Sequence, residues 1–244
     1  MKYAIISDIH GNLEALKGVK KDIEKEKVDK CLFLGDAVGY GADPSECIEE
    51  LEKMECISIA GNHDWGAVGL TSLDNFNPYA REAVQWTREK LCKKGKEFIR
   101  SFPLVKKIHD ITLVHATLQK PERWNYIFST FQAHVNIELQ ETSITFVGHS
   151  HVPITFFENL DSEESVQFTR ERKIEIEEGF KYIINVGSVG QPRDGNPKAS
   201  YGLYDDKKQY VEIKRIPYDI RKAQQKILEA GLPEILAERL EYGE

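Results

Sequence analysis

Five of the seven histidines in this 244-residue chain sit in short polar motifs, each following an apolar run of β-forming residues. Tyr3 to Ile6 leads into Ser7-Asp8-Ile9-His10-Gly11-Asn12, and Cys31 to Leu34 into Gly35-Asp36. Ile57 to Ala60 leads into Gly61-Asn62-His63-Asp64, Ile111 to Val114 into His115, and Ile144 to Val147 into Gly148-His149-Ser150-His151. Strands apolar at every position are buried on both faces and suit a parallel sheet. The carboxyl ends of such strands gather along one edge, where ligands bind. Imidazoles, carboxylates and an amide are therefore expected to converge there. Residues two apart in an extended segment point the same way, so Asp8 and His10 are expected to grip one ion together. The glycines beside Asp36, Asn62 and His149 are expected to allow sharp turns and ligand approach.

The opening alternates strands with helical stretches. Leu13 to Glu26 carries Leu13, Leu16, Val19 and Ile23 at helical spacing. Pro44 to Met54 reads as a helix with Asp43 as N-cap and Pro44 at its first position. A β-α-β-α-β start predicts a parallel sheet with right-handed crossovers. Asn77-Pro78 starts a third helix, whose aromatics Tyr79 and Trp86 are expected in the core. From about Ile108 the texture turns β-rich. Further strands are expected at 154–157, 166–169, 173–176, 182–185, 200–204 and 210–216, with a charged hairpin tip over 158–178. Two short helices close the chain at about 218–242, the first capped by Asp219 and stopped by Gly231, the second started by Pro233. With no linker or repeat, one domain over 1–244 is expected.

Lys and Arg number 33 against 40 Asp and Glu, a formal charge of −7. A net-acidic surface does not attract nucleic acid non-specifically. Phosphate then has to be drawn in by a local charge, and a bound cation is the largest one available. Cys31, Cys47, Cys56 and Cys92 form no CxxC pair and read as free thiols of a reducing compartment. No apolar run approaches the ~20 residues that cross a bilayer, and no secretory leader precedes the first strand. A cytoplasmic protein with no membrane partner is expected.

Singly these motifs are weak, since Asp-x-His is commonly a turn and Gly-Asp a loop start. Their order carries the weight. The series Asp8-x-His10, Gly35-Asp36, Gly61-Asn62-His63-Asp64, His115, Gly148-His149-x-His151 resembles the calcineurin-like metallophosphoesterase family. The segment from Asn185 to Gly195 resembles the late loop of small prokaryotic members, phosphodiesterases among them. The resemblance implies an α/β fold, a four-layer α-β-β-α sandwich of two mixed β-sheets. It implies a metal-dependent hydrolase of a phosphoester, foremost a phosphodiester of a nucleotide or other small molecule. Two divalent transition-metal ions (Mn, Fe, Ni, Co or Zn) would serve, a choice that suits mixed imidazole and carboxylate ligands. By the same resemblance, Asp8, His10, Asp36 and His151 hold the first ion. Asp36, Asn62, His115 and His149 hold the second, so that Asp36 bridges, and His63 is the catalytic acid. Such a pair activates water as hydroxide and clamps the attacking and leaving oxygens.

Ser/Thr protein phosphatases carry a further Asp where this chain has Gly39, and Glu where it has Asp64; both differences argue against that branch. Ala116 stands where a glycine commonly follows the ligand His. Asn12, Tyr40 and Arg193 are candidate substrate contacts, each with an equally weighted structural reading; for Arg193 these are a phosphate oxygen or an ion pair with Asp194. Trp124 and Tyr126 follow Pro121 near His115; stacking on a base is one reading, core packing the expected one. His109 and His134 stand outside any motif. A phosphomonoesterase and a non-catalytic metal-binding interaction module are the alternatives. Oligomeric state is not legible.

Overall fold

The computed structural model of the chain describes residues 1–162 and 164–244. The first half runs β1 Lys2–Ile6, α1 Leu13–Glu26, β2 Lys30–Phe33, α2 Pro44–Lys53, β3 Ile57–Ser58, α3 Asn62–Val68, α4 Pro78–Lys90 and α5 Lys93–Arg100. There follow β4 Val105–Ile108, β5 Ile111–Val114, a 3₁₀ turn at Pro121–Arg123, α6 Thr130–Glu138, β6 Ile144–Val147, β7 Ile154–Asn159 and β8 Gln167–Thr169. The chain ends with β9 Lys173–Glu175, β10 Phe180–Asn185, β11 Ala199–Asp205, β12 Tyr210–Ile216, α7 Ile220–Glu229 and α8 Ile235–Tyr242.

Two mixed sheets form, in the orders β3-β2-β1-β11-β12-β9 and β4-β5-β6-β10-β7-β8. In the first, β1, β2 and β3 pair parallel and the rest antiparallel. In the second, β5, β6 and β10 are parallel, flanked by antiparallel β4, β7 and β8. Strand alternation sorts each strand into two layers. Tyr3, Ile5, Leu32, Leu34, Leu113, Phe146 and Ile184 fill the space between the sheets. Ala4, Ile6 and Phe33 face the other way, onto Leu16, Val19, Cys47 and Ile99 of the helices. Val114, Val147 and Ile183 face outward from the second sheet onto Ala133 and Ile137 of α6. The result is the expected α-β-β-α sandwich.

The details depart from expectation where local signals were thin. Beyond β3, Ile59 N–H still donates to Phe33 O at 3.0 Å and Ala60 N–H, on the outer edge, to Pro103 O at 2.9 Å, but Gly61 N–H turns to Asp64 Oδ2 at 3.1 Å and the ladder with β2 ends. β4, α5 and α6 were not expected. β4 (VKKI) is a half-exposed edge strand whose two lysines protect the edge. α6 is mixed in polarity and is held by a capping box between Ser129 and Gln132. The segment 158–178 is not one hairpin tip: β8 pairs with β7, but β9 crosses to the other sheet and pairs with β12. Tyr79 is 52 % exposed rather than in the core. Asp43 occupies the N-cap position of α2 but makes no cap bond; its carboxylate accepts from Lys226 Nζ at 2.8 Å instead. Lys226 also pairs with Glu14 at 2.8 Å, tying α7 to α1 and α2. All four cysteines are free. Among the described residues no helix is long and apolar enough to cross a membrane.

Candidate metal centre and cleft

The loops that follow β1, β2, β3, β5 and β6 meet at one edge of the sandwich. Asp8, His10, Asp36, His149 and His151 have φ of +53°, +50°, +59°, +65° and +62°. This left-handed region is costly for residues with a Cβ and persists only where the surroundings impose it. Asp8 and His10 therefore do not converge by strand alternation, since β1 ends at Ile6. Left-handed turns bring them together, zipped to the loop after β2 by Asp8 N–H to Gly35 O (3.0 Å), His10 N–H to Asp36 O (2.9 Å) and Gly11 N–H to Ala37 O (2.9 Å). The neighbouring glycines serve the mutual approach of the loops. A Cβ on Gly61 would meet Asp36 Oδ1 at 2.1 Å, and one on Gly148 would meet Ser7 Oγ at 2.0 Å.

All seven side chains expected to bind metal come to this edge, buried. Asp8 Oδ1 lies 3.3 Å from His151 Nε2 and 3.8 Å from His10 Nε2. Asp36 Oδ2 lies 3.7 Å from His10 Nε2 and 3.3 Å from His115 Nε2. Two sets, Asp8/His10/His151 and Asp36/His115/His149, each present three ligand atoms within 4.8 Å of one another; His10/Asp36/His63 forms a third such set. The opposite ring nitrogens are held by backbone carbonyls: His10 Nδ1 by Val38 O (3.2 Å), His115 Nδ1 by Leu34 O (2.7 Å) and His151 Nδ1 by Gln191 O (2.6 Å). A carbonyl only accepts, so each Nδ1 donates, and in the neutral ring Nε2 then turns a lone pair inward, the tautomer a metal ligand needs. Asn62 Oδ1, His115 Nε2 and His149 Nε2 are buried without a hydrogen-bond partner. Orphaned acceptors around two buried carboxylates fit divalent cations, which would complete them.

The electrostatics divide the histidines. Burial opposes ionisation of Asp8 and Asp36, but the neighbouring histidines hold both carboxyls below the usual carboxylate range. Burial pulls His149 down to about 3 and His63 to about 4. Against the same burial, the Asp36 charge, 3.3 Å from Nε2, lifts His115 to about 9, so a cation bound there would take the place of the Nε2 proton.

A cleft of about 220 Å³ opens on this cluster, lined by Asp36, Asn62, His63, His149 and His151 and walled by Tyr40 and Arg193. Tyr40 lies against His10 and His63, at 4.6 Å between ring centroids in each case. Arg193 donates to Tyr40 Oη at 3.3 Å and to Gln191 Oε1 at 2.8 Å. Its expected alternative partner, Asp194, instead pairs with Arg215. Asn12 does not line the cleft: it caps α1 by accepting from Ala15 N–H at 3.1 Å, and its Nδ2 donates to Gly190 O at 2.8 Å. Asp64 accepts from the N–H groups of Asp36 (2.7 Å), Ala37 (2.8 Å) and Gly61 (3.1 Å), clamping the Asp36 loop. Trp124 and Tyr126 correct the core-packing expectation: both line the cleft, and Tyr126 stacks on His149 at 4.1 Å. Phe76, with its ring 5.0 Å from that of His63, was missed. The signal available for the aromatic wall was its place in the loop directly after His115. His134 is a surface residue bonded to Glu158, and His109 sits in the turn between β4 and β5.

A two-sheet sandwich that gathers carboxylates, imidazoles and an amide at one edge defines a class, the metal-dependent phosphoester hydrolases. Residues 1–209 match the model of the calcineurin-like phosphoesterase superfamily domain. The chain is 44% identical over 244 residues to an uncharacterised protein of Methanocaldococcus jannaschii, covering 98% of this chain and 97% of that one. A crystal structure of a metallophosphoesterase from Sphaerobacter thermophilus matches with a TM-score of 0.87 at 40% identity, over 100% of this chain and 99% of that one. A hypothetical protein from Pyrococcus horikoshii OT3 shares the fold, with a TM-score of 0.79 at 20% identity over 100% and 98% of the two chains. The chain belongs to the calcineurin-like phosphoesterase superfamily and is a metal-dependent hydrolase of phosphoester bonds.

Proposed function

We propose that this protein hydrolyses a small-molecule phosphodiester at a centre of two divalent transition-metal ions, and that the whole chain 1–244 works as one unit. The observation that carries the reading is the place of Asp36. Its Oδ2 lies between His10 Nε2 at 3.7 Å and His115 Nε2 at 3.3 Å, where one carboxylate serves two ions. In this reading Asp8, His10, Asp36 and His151 hold one ion, and Asp36, Asn62, His115 and His149 hold the other. Mn, Fe, Ni, Co and Zn suit this donor set. When bound, such a pair supplies Lewis acidity toward phosphoryl oxygens and lowers the pKa of water towards ~7.

The chain's own residues do the rest. Arg193, with Gln191 and Tyr40 fixing its guanidinium, offers a planar fork to a phosphoryl oxygen. His63, outside the two ligand sets, delivers a proton to the leaving oxygen. Burial depresses its pKa, and an anionic phosphoryl group in the cleft opposes that depression. The cleft has walls on two sides, Phe76 with Tyr40 by His63, and Tyr126 by His149 with Trp124 by His115. A diester has a substituent for each; a monoester has one.

The test is hydrolysis of bis-p-nitrophenyl phosphate beside p-nitrophenyl phosphate with Mn²⁺, Ni²⁺, Co²⁺ or Mg²⁺ and a chelated control. Metal-dependent cleavage faster on the diester is expected. Faster cleavage of the monoester would replace the reading with a phosphatase.

A further inference from the structure

Two of the four free cysteines meet at the amino ends of β2 and β3, the opposite ends of these strands from Asp36 and Asn62. In this parallel pair Leu32 lies opposite Ile57 and Phe33 opposite Ser58. One step back along both strands puts Cys31 opposite Cys56. Opposite residues of neighbouring strands project to the same face, and the packing agrees. Cys31 belongs to the cluster beneath the helices, and Cys56 packs against that cluster. The hydrogen bond between the two thiols, and then burial, push the Cys56 thiol well above its ordinary value.

Neighbouring strands run about 4.8 Å apart, inside the window of roughly 4.4–6.8 Å between Cα atoms that a disulfide needs. Its Cβ atoms must come closer, to about 3.8 Å, so one strand has to give. β3 is able to: it is two residues long and stands at the end of its sheet, beside β2. A reagent also has a way in. Cys31 lines an open groove of about 510 Å³ with Lys27, Lys30 and Met54, and Cys56 is partly exposed. Cys47, in contrast, is fully buried, and burial pushes its thiol well above the ordinary value.

We infer that Cys31 and Cys56 are a reversible thiol–disulfide site, oxidised by a low-molecular-weight disulfide and reopened by the corresponding thiol. The thiolate is the attacking form, and Cys56 is held neutral, so Cys31 at the groove attacks first. Its sulfur bonds to one sulfur of the reagent, the reagent's S–S bond breaks, and one thiol leaves with the Cys31 proton. Cys56 has then lost the thiol partner that chiefly held it neutral. Its sulfur attacks that of Cys31, the mixed disulfide breaks, and the second thiol leaves with the Cys56 proton. Two electrons pass from the protein dithiol to the reagent. The product ties β2, which leads to Asp36, to β3, which leads to Asn62. The strain of drawing the strands together makes the bond readily reducible.

The experiment is equilibration of the full-length protein in glutathione buffers of rising oxidised fraction, followed by acid quench, alkylation and mass spectrometry. Cleavage at lysine, arginine and glutamate puts Cys31 and Cys47 in separate peptides, because Glu46 lies between them. The expected product is an intramolecular Cys31–Cys56 crosslink, with Cys47 alkylated as a free thiol, and it should reopen in excess reduced glutathione. Cys56→Ser should stop at a glutathione adduct on Cys31, and Cys31→Ser should give no crosslink. Exposed Cys92 is the internal control for the reagent. A folded wild type that carries glutathione on Cys92 but no Cys31–Cys56 bond, or that links Cys56 to Cys47, would overturn the site. So would a crosslink that forms only in urea.

Discussion

The Nδ1 atom of His63 occupies the space that a side chain on Gly39 would need: a Cβ there would lie 2.3 Å from it. No acid can therefore stand behind His63 at position 39, and Nδ1 has no hydrogen-bond partner. Gly39→Ala should push the imidazole aside. We expect kcat to fall roughly 10²-fold on esters with poor leaving groups, and much less with p-nitrophenolate, because general-acid catalysis is worth about 10²–10⁴. His63→Ala should show the same leaving-group dependence with bound metal retained. A loss that is flat across a leaving-group series, or metal-free His63→Ala protein, would remove His63 from the acid role.

Asp36→Asn keeps the shape of the side chain and deletes the charge proposed to be shared by two ions. Activity should be abolished and the metal content of purified protein should drop, as read by elemental analysis. Full metal content in this variant would show that Asp36 is not the bridging ligand.

Asp64 acts one step back. With its three N–H contacts to Asp36, Ala37 and Gly61 removed in Asp64→Ala, the Asp36 loop loses its clamp. Metal affinity is expected to weaken by roughly 10–100-fold, the usual scale for groups that orient ligands. Titration of apoprotein with Mn²⁺ checks this; unaltered affinity would reduce Asp64 to a folding role.

The docking of α7 gives a pH signature. Burial opposes ionisation of Glu14, but its bonds to Lys226 and Lys222 lower its pKa below the ordinary 4.5. Its stabilisation is thus fully present above that value and is lost as pH falls through the depressed one. Burial keeps Asp43, on the same lysine, above its ordinary pKa, so its ionised form costs stability that acid relieves. At pH 7, Glu14→Gln should cost about 1 kcal/mol, or about 2–4 °C in Tm, whereas Asp43→Asn should leave stability unchanged or raise it. The Glu14→Gln deficit should close as pH falls below about 4.5. A deficit constant down to pH 3 would mean that packing, not charge, docks α7.

Much of the frame was legible locally. The Leu13–Glu26 helix, with Asn12 placed just before it, and the apolar runs of β1, β2, β5 and β6 follow from short-range periodicity, which one segment carries by itself. β4 and α6 were not, because their composition is ambiguous and pairing or capping decides them.

By itself the sequence determined which seven metal-donor side chains gather at one edge, since order and spacing of motifs after apolar strands are local properties. Only the tertiary structure decided how they meet. Asp8 and His10 converge through left-handed turns held by another loop, a conformation no local preference selects. Arg193 reaches Tyr40 across 153 positions, and Tyr126 leaves the expected core to stack on His149. Such contacts depend on long-range chain return, whose closure is set by the packed sheets and not by the residues on either side.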